Sequence, residues 1–403
     1  LKDGCEPYFG HRFASVLLPV SVPAAGWATY TLRESETALI PPTAHAPADW
    51  LIVEPPHEYV LENDLVRVCL DTRQGVITSY YDKENGREWL KEGAHGGFRL
   101  IDEDPDRGMT SWIIGRHMNI RDFESVKIKP VFTSGETLRQ SVSIEAKWSR
   151  STLTAVLSLD RGSRMLLVKA TCDWHEKGAR GDQIPQLSFA VPLAGEIREY
   201  GYDVPFGTIV RGACDLDLPG NSYIAALPAG GADAFMLSAD SKYGYRGFDD
   251  GVAVTLIRAS FDPDPSPEYG VHKIQLAVGP AGREPGSLVR RAFELWHPFN
   301  TLAASAHAGD LPTTGSLLGL ESDGIVLQAV KLAEDGGAAV IRLYDADGRG
   351  GKAALKLPAF AGKTAEVTDV HERPTGKTLD VRDGVLVADV APASVVHLKI
   401  ALR

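Results

Sequence analysis

The sequence predicts an all-β fold built from more than one β-sandwich. Apolar, β-branched and aromatic runs of roughly 5–10 residues recur along the chain, and Gly, Pro, Asn and Asp separate them at intervals of roughly 8–12 residues. Only 287–295 carries apolar residues at helical spacing, so one short helix is expected. At 403 residues the chain exceeds a single ordinary hydrophobic core, which favours about two to three domains.

The chain opens with two predicted strands and a connector, which together form a first segment over 1–50. Residues 13–32 are β-branched and aromatic and contain a Pro-Ala-Ala-Gly turn, which predicts two joined strands. Residues 33–56 are polar and rich in Pro and Ala, as expected of a connector.

The large sandwich is predicted over 51–300. Its clearest hairpin begins where Val66, Val68 and Leu70 fall on one face of a strand, and a turn at 73–75 leads into a second strand at 76–81. Further strands are expected at 97–101, 126–131, 138–148, 151–159, 164–173, 186–191 and 197–202.

A small C-terminal sandwich is predicted over 317–403. A Gly-, Thr- and Ala-rich stretch precedes it, so 301–316 is expected to be a linker. The strands of the small sandwich are expected at 317–320, 324–331, 338–344, 353–357, 363–369, 385–390 and 395–400.

Charge and cysteine usage exclude several classes of function. The net charge of −11 argues against nucleic-acid binding, which needs clustered Lys and Arg. No apolar run approaches the roughly 18–20 residues of a membrane span. Cys5, Cys69, Cys172 and Cys214 form no CxxC pair, which favours free thiols and a cytoplasmic location. The chain begins at Leu1 with a polar start, so we expect no signal peptide and a piece of a longer protein.

The stretch 238–272 concentrates charged and aromatic residues between short apolar runs. Runs at 234–237 and 252–257 are expected to form a hairpin through a Gly/Asp-rich reversal at 247–251. A charged loop on a sheet commonly presents a polar ligand surface, although a solvated hairpin with a Pro-stiffened connection explains the composition equally well. The candidate ligand-facing residues are Lys242, Tyr243, Arg258, Asp262, Asp264 and His272.

No motif in the sequence carries catalysis by itself. The chain lacks HExxH, GxSxG, Walker and GxGxxG patterns, and no metal ligands are expected in it. Carboxylate pairs suited to glycoside hydrolysis occur at Asp262/Asp264, at Asp249/Asp250 and within 102–104, although solvated loops explain each of them better. The Asp-Trp-His-Glu sequence at 173–176 is either a sugar-stacking platform or, as we favour, an ordinary strand end.

Several stretches, in chain order and over nearly the whole length, resemble the α-mannosidases of glycoside hydrolase family 38. The opening of that family's large C-terminal β-domain is similar to ENDLVRVCLDTRQGVITSYYDKENGREWL at 62–90. Later segments of the domain are similar to DWHE at 173–176, VPFGTIVR at 204–211, DSKYGY at 240–245, LIRASFDPDP at 256–265 and YGVH at 269–272. Residues 321–349 resemble the family's small terminal sandwich, and the pattern is most similar to the bacterial and cytosolic branch.

This resemblance implies a galactose-mutarotase-like supersandwich followed by smaller β-sandwich domains. The family's zinc, Asp nucleophile and acid lie in an N-terminal domain that does not match here, so no cofactor and no catalytic residue are expected in this chain. The resemblance implies retaining hydrolysis of α-mannosides by the intact protein. Arg258 would approach the sugar, with Tyr243 and His272 nearby; an ion pair of Arg258 with Asp262 or Asp264 is the alternative.

The expected partners follow from the same resemblance. They are the protein's own N-terminal catalytic domain, with its zinc, and an α-mannoside; neither nucleic acid nor a membrane is expected, and a homo-oligomer is open. The sequence departs from the family pattern at Arg246, where Asp is usual, at 111–113, and in an inserted loop at 178–185.

Two rival hypotheses compete with the mannosidase interpretation. One is a stand-alone carbohydrate-binding scaffold, and the other is a mutarotase-like enzyme that uses His272 or His175 with a nearby acid. A missing catalytic domain predicts an exposed apolar patch on the large sandwich, and its absence would favour the scaffold.

Overall fold

The computed structural model describes residues 7–8, 11–12, 17–33, 57–131, 138–231, 233–248, 250–265, 268–305 and 307–402. Most of the predicted connector, Cys5 and Asp249 lie outside these ranges. Within them, no helix is long and apolar enough to cross a membrane.

The predicted all-β fold is confirmed. In the described ranges the α-helix is α1 (Pro285–Trp296), where the sequence predicts one, and a short 3-10 helix spans Pro358–Phe360. Proline is tolerated in the first turn of a helix because the N–H there has no intrahelical partner. One apolar stripe of α1 is buried, formed by Leu288, Val289 and Ala292.

Strands make up most of the remaining described chain. In chain order they are β1 (Pro7–Tyr8), β2 (His11–Arg12), β3 (Gly26–Ala28), β4 (Glu58–Glu62), β5 (Val66–Asp71), β6 (Val76–Asp82), β7 (Arg87–Glu88), β8 (Gly97–Glu103), β9 (His117–Arg121), β10 (Ser125–Pro130), β11 (Arg139–Trp148), β12 (Ser151–Asp160), β13 (Leu166–Trp174), β14 (Ile184–Pro192), β15 (Glu199–Val204), β16 (Gly207–Gly212), β17 (Leu218–Pro219), β18 (Tyr223–Leu227), β19 (Asp233–Ala239), β20 (Gly244–Phe248), β21 (Gly251–Arg258), β22 (Gly270–Gly282), β23 (Thr314–Ser316), β24 (Gly319–Glu321), β25 (Ile325–Leu332), β26 (Ala338–Asp345), β27 (Gly351–Lys356), β28 (Thr364–Thr368), β29 (Pro374–Asp380), β30 (Val385–Val390) and β31 (Val395–Ala401).

The chain divides into two units. The first comprises Leu1–Leu18, Thr37–Tyr202 and Val210–Gly282, and the second comprises Pro19–Glu36, Asp203–Ile209 and Arg283–Arg403.

Three larger sheets and the β1–β2 pair organise the first unit. Their strand orders are β10-β11-β12-β13-β22-β19-β18-β15-β16, β17-β20-β21-β14-β8-β9 and β4-β5-β6-β7. All three contribute to one buried cluster, as Leu70, Trp148 and Phe189 illustrate. Successive side chains of a strand point to opposite faces, and burial of a large apolar side chain stabilises the fold by about 1.5–3 kcal/mol.

One predicted hairpin in this unit is confirmed and another is wrong. β5 and β6 pair antiparallel as expected, and Gly75 in their turn has a φ of 71° that suits glycine. The apolar run within β19, however, does not pair with β21. β21 pairs with β20, whereas β19 pairs with β18 and β22 in the nine-stranded sheet. Apolar composition gives no information about which sheet a strand joins.

The second unit contains a five-stranded sheet and a three-stranded sheet, with orders β25-β26-β31-β28-β29 and β24-β27-β30. Ile341, Leu355 and Leu398 are among the residues of its buried cluster. β23, which lies inside the stretch predicted as a linker, pairs with β3. Of the two strands predicted over 13–32, β3 is the one present in the described residues.

Candidate functional site

The six-stranded sheet presents two chemically different faces. Leu100, Phe189 and Val254 lie in the core cluster, and the residues that alternate with them point the other way. Pairing of β14 with β8 and β21 places these alternating residues side by side. We call this the polar face; on the three central strands it comprises Arg99, Ile101, Glu103, Gln186, Ser188, Ala190, Ala253, Thr255 and Arg258.

A β-bulge in β21 brings Arg258 onto the polar face. Ser188 lies opposite Thr255 and Leu187 lies opposite Ile257, so Leu256 is an extra residue in β21. A bulge shifts the alternation of faces by one residue. Leu256 and Ile257 can therefore both contribute to the core cluster, while Arg258 falls opposite Gln186 on the polar face.

Glu103 and Arg258 form a doubly hydrogen-bonded ion pair in which the Arg258 side chain is 13% exposed. Arg258 donates from Nε to Glu103 Oε2 at 2.7 Å and from Nη2 to Oε1 at 2.5 Å. Glu103 is 0% exposed and also accepts hydrogen bonds from the Gln186 side chain and from the backbone N–H of Gly115. Such a pair is tolerated in a low-dielectric interior because its remaining lone pairs are satisfied.

Arg258 also anchors the segment that follows β8. Its Nη1 donates to the carbonyl of Thr110 and its Nη2 donates to the carbonyl of Ile113 at 2.8 Å. Four of the five guanidinium N–H donors therefore have protein acceptors within the described residues. The partner of Arg258 is Glu103, where the sequence suggested Asp262 or Asp264.

The segment after β8 is fastened to the loop that carries Asp262 and Asp264. Thr110 Oγ1 accepts hydrogen bonds from the N–H groups of Phe261 and Asp262, both at 3.0 Å. Ser111 donates its N–H to the Asp262 carbonyl at 2.8 Å, and its Oγ accepts the Asp264 N–H at 3.3 Å. The structure thus brings Arg258, Asp262 and Asp264 to one place.

The other candidate residues lie elsewhere. Lys242 and Tyr243 immediately precede β20, and the Tyr243 side chain is 63% exposed. His272 is in β22 of the nine-stranded sheet, opposite Cys172, and its Nε2 lies 2.7 Å from the Glu268 carbonyl. His272 and Arg258 therefore belong to different sheets.

Burial decides two alternatives that the sequence leaves open. Residues 102–104 do not form a solvated loop, because Asp102 and Glu103 are buried in β8. A stacking platform at 173–176 is excluded, since Trp174 is fully buried. Burial raises the pKa of the Cys172 thiol to about 12, so this residue is not a nucleophile.

A second polar cluster borders a pocket on the same sheet. Arg246 donates from Nε to Asp217 Oδ1 at 3.0 Å, and its two terminal nitrogens lie 3.0 and 2.9 Å from the ring nitrogens of His117. Thr255 donates its hydroxyl to Asp217. Burial first, and then the charge of Arg246, lower the pKa of His117 to about 4, so its ring is neutral at pH 7.

The sequence singled out Arg246 only as a departure from a family pattern and did not identify this cluster. Its members are far apart in the chain and come from β9, β20, β21 and the segment before β17. No local spacing could reveal them. Among the described residues, no three His, Cys, Asp or Glu side chains converge in a way that could hold a metal ion.

Two sequence comparisons cover most of the chain. Residues 61–266 match the family described as "Glycosyl hydrolases family 38 C-terminal domain". The chain belongs to this family. Residues 324–401 match the "Glycosyl hydrolases family 38 C-terminal beta sandwich domain", so both units carry family 38 sequence and the resemblance seen in the motifs is confirmed.

Relatives of this family 38 chain are considerably longer. It is 25% identical over 413 residues to alpha-mannosidase 2C1 of Homo sapiens and 24% identical over 414 residues to that of Mus musculus. Each alignment covers 97% of this chain but only 38% of the relative. The chain therefore spans about two fifths of the length of these curated relatives.

A solved structure shares the fold. An alpha-mannosidase from Enterococcus faecalis V583 superposes with a TM-score of 0.66 at 15% identity, over 84% of this chain and 42% of that one. A second family 38 structure from Enterococcus faecalis gives a TM-score of 0.67 over 43% of its chain.

Proposed function

We propose that this chain is the C-terminal β-sandwich portion of an α-mannosidase, and that it packs against an N-terminal catalytic part and forms the rim of its substrate cleft. Membership of family 38 and the span of only 38% of the curated relatives support this assignment. The intact protein would hydrolyse α-mannosides with retention, using catalytic groups and zinc outside this chain.

The observation that carries the packing proposal is an exposed apolar segment next to the anchored site. We call 109–120 the rim segment. It displays the large apolar side chains of Met109, Trp112, Ile113, Met118 and Ile120, of which Trp112 is 70% exposed. Exposed apolar side chains that cluster in one segment are typical of an interaction surface.

Hydrogen bonds from Arg258 hold the rim segment in place. Arg258, itself fixed by Glu103, binds the carbonyls of Thr110 and Ile113. β9, which ends the segment, is the last strand of the six-stranded sheet in the described chain. An edge strand leaves backbone groups available to a neighbour. A fixed apolar loop beside a free edge suits the docking of another domain.

Arg258 is therefore assigned to positioning in this proposal. Its small exposed fraction and its four protein acceptors favour a role in shaping the cleft rim over direct recognition of sugar hydroxyls. Asp262 and Asp264, whose backbone is fastened to the rim segment, would border the same cleft.

A cytoplasmic location is part of the proposal. Cys69, Cys172 and Cys214 are free thiols in the structure, as expected in a reducing compartment.

Hydrolysis of p-nitrophenyl α-mannoside with added zinc tests the proposal. The 403-residue chain and the longer gene product are assayed side by side. We expect activity in the longer protein and none in this chain. Turnover by this chain alone would place the chemistry inside the sandwich and overturn the proposal, and inactivity of both proteins would remove the mannosidase assignment.

A further inference from the structure

A pocket of about 160 Å³ opens on the polar face of the six-stranded sheet. Its floor is made by short side chains on two neighbouring strands, Ser188 and Ala190 from β14 and Ala253 and Thr255 from β21. Residues with long side chains at these four positions would fill the space. The pocket lies entirely within the first unit, and Arg258 does not line it.

The volume matches one six-membered ring. An apolar protein cavity of about 150 Å³ accommodates benzene, so a single pyranose is a fitting occupant, whereas a disaccharide would have to extend out of the pocket.

The floor contains a polar atom without a protein partner. Ser188 is 2% exposed, and its hydroxyl has no hydrogen-bond partner in the described chain. Most buried hydroxyls are hydrogen-bonded, and the neighbouring Thr255 hydroxyl is indeed bonded to Asp217. Ser188 therefore offers a donor and an acceptor to whatever occupies the pocket.

The charges around the pocket balance. Arg99 and Arg246 are offset by Asp215 and Asp217, and His117 is neutral because its pKa is lowered to about 4. An anion such as phosphate would lie among carboxylates, and a cation would lie among guanidinium groups. A neutral molecule that both donates and accepts hydrogen bonds meets neither penalty.

Two of these charged side chains can make further hydrogen bonds. Within the described residues Arg99 makes one hydrogen bond, from Nη2 to the His95 carbonyl at 2.9 Å. Asp215 is at the exposed side of the pocket. The pocket lining also includes the apolar side chains of Ile101, Ile120 and Phe248. Polar groups together with an aromatic ring suit the hydroxyl groups and the C–H face of a sugar.

We propose that this pocket binds one neutral pyranose, with its hydroxyls hydrogen-bonded to Ser188, Arg99 and Asp215 and its C–H face against Phe248. The site goes beyond the proposed cleft rim. It is a binding site contained in this chain, and it does not require that the intact protein be a mannosidase.

Ligand-observed NMR and calorimetric titration of the 403-residue chain test the site. The probes are methyl α-mannoside, methyl α-glucoside, methyl α-galactoside and inorganic phosphate. For a ligand of this size we expect a Kd of about 1–10 mM for at least one of the glycosides and no binding of phosphate.

Substitutions in the pocket test whether the glycoside binds there. Ser188→Val replaces the hydroxyl with two methyl groups on Cβ, and Ala253→Leu fills the pocket. Thr154→Val makes the same kind of change as Ser188→Val on an exposed position of β12. We expect a loss of affinity of about tenfold or more for Ser188→Val, because one hydrogen bond to a buried hydroxyl corresponds to that factor. Ala253→Leu should abolish binding, and Thr154→Val should leave it unchanged.

Three other outcomes would contradict the proposed pyranose site. Binding of no glycoside, binding of phosphate instead, or glycoside binding that survives both Ser188→Val and Ala253→Leu would each exclude this pocket as a pyranose site. Circular dichroism of each variant verifies that the fold is retained. If Ala253→Leu unfolds the chain, Ser188→Val decides alone.

Discussion

Thr255 and Arg258 occupy the same face of one strand although they are three positions apart in the sequence. In a regular strand they would point to opposite faces. The extra residue Leu256 reverses the alternation between them. As a result, the floor of the pocket and the anchor of the rim segment lie on one surface of the six-stranded sheet.

Removal of one charge from the Glu103–Arg258 ion pair should destabilise the first unit strongly. Glu103→Gln leaves the largely desolvated Arg258 guanidinium, 13% exposed, without its counter-charge, and the loss of one partner of a buried pair costs about 3–5 kcal/mol. The free energy of unfolding, measured by urea titration, checks this. Glu196→Gln, which breaks the exposed pair with Arg198, is the control and should cost less than about 1 kcal/mol. Equal effects of the two variants would contradict the anchoring role.

The same pair should be non-additive. The double variant Glu103→Leu/Arg258→Met removes both charges, so it should cost less than the sum of Glu103→Leu and Arg258→Met. A double-mutant cycle in urea provides the measurement. Additive costs would show that the two residues do not act together.

Acid should weaken the fold through His117. The pKa of His117 is lowered in the folded chain to about 4 from 6.5, first by burial and then by Arg246. Between these values the unfolded chain binds the proton more readily, so this contribution to stability is complete above about pH 6.5 and is lost as the pH falls toward 4.

Substitution of His117 should reduce that dependence. Asp217 and Glu103 favour the protonated ring and Arg246 and Arg258 oppose it, so His117→Gln leaves these charges in place and removes the titrating group. Between pH 7 and pH 5 the unfolding free energy of the variant should fall by up to about 2 kcal/mol less than that of the parent chain. The exposed His371→Gln is the control. Parallel pH profiles for His117→Gln and the parent would contradict the assignment.

Trp112 should matter for the intact protein and not for the stability of this chain. Its side chain is 70% exposed, and surface substitutions usually change stability by less than about 0.5 kcal/mol. In the longer protein, Trp112→Ser should lower kcat/KM for p-nitrophenyl α-mannoside or shorten the half-life on heating. Leu332→Ser, an equally exposed apolar position in β25, is the matched control. Unchanged activity and half-life would remove the rim segment from the interface.

Gly247 should not tolerate a side chain. A Cβ at this position would lie 2.4 Å from Cγ of the Tyr200 ring, and Tyr200 is fully buried with its hydroxyl bonded to the Phe248 carbonyl. Overpacking of this kind costs about 1–3 kcal/mol. Gly351→Ala in β27, where nothing lies within 4 Å of the added Cβ, should cost far less. Comparable unfolding free energies for the two variants would contradict the packing described around Tyr200.

The sequence predicts the local structure of this protein well. Alternating apolar residues locate β5 and β6, and the helical spacing at 287–295 locates α1. Both signals act over a few residues. The pairing partner of a strand is not encoded in nearby residues, which is why the sequence predicts a hairpin between the apolar run of β19 and β21, whereas β21 pairs with β20.

The candidate site is harder to predict for the same reason. Glu103 and Arg258 are 155 residues apart, and neither has a neighbour in sequence that indicates its partner. The bulge is invisible because Leu256 and Ile257 are both apolar and both fit a continuing strand. Ser188 stands inside an apolar run, where a single hydroxyl carries no signal until the strands around it are known.

The extra residue in β21 also makes this surface independent of the exact length of the strand. Removal of Leu256 would leave Thr255 opposite Ser188, Ile257 opposite Leu187 and Arg258 opposite Gln186, which is the regular alternation of a strand without a bulge. The pocket floor and the anchor of the rim segment would stay on the same face. Two homologues that differ by this one amino acid in length can therefore present the same surface.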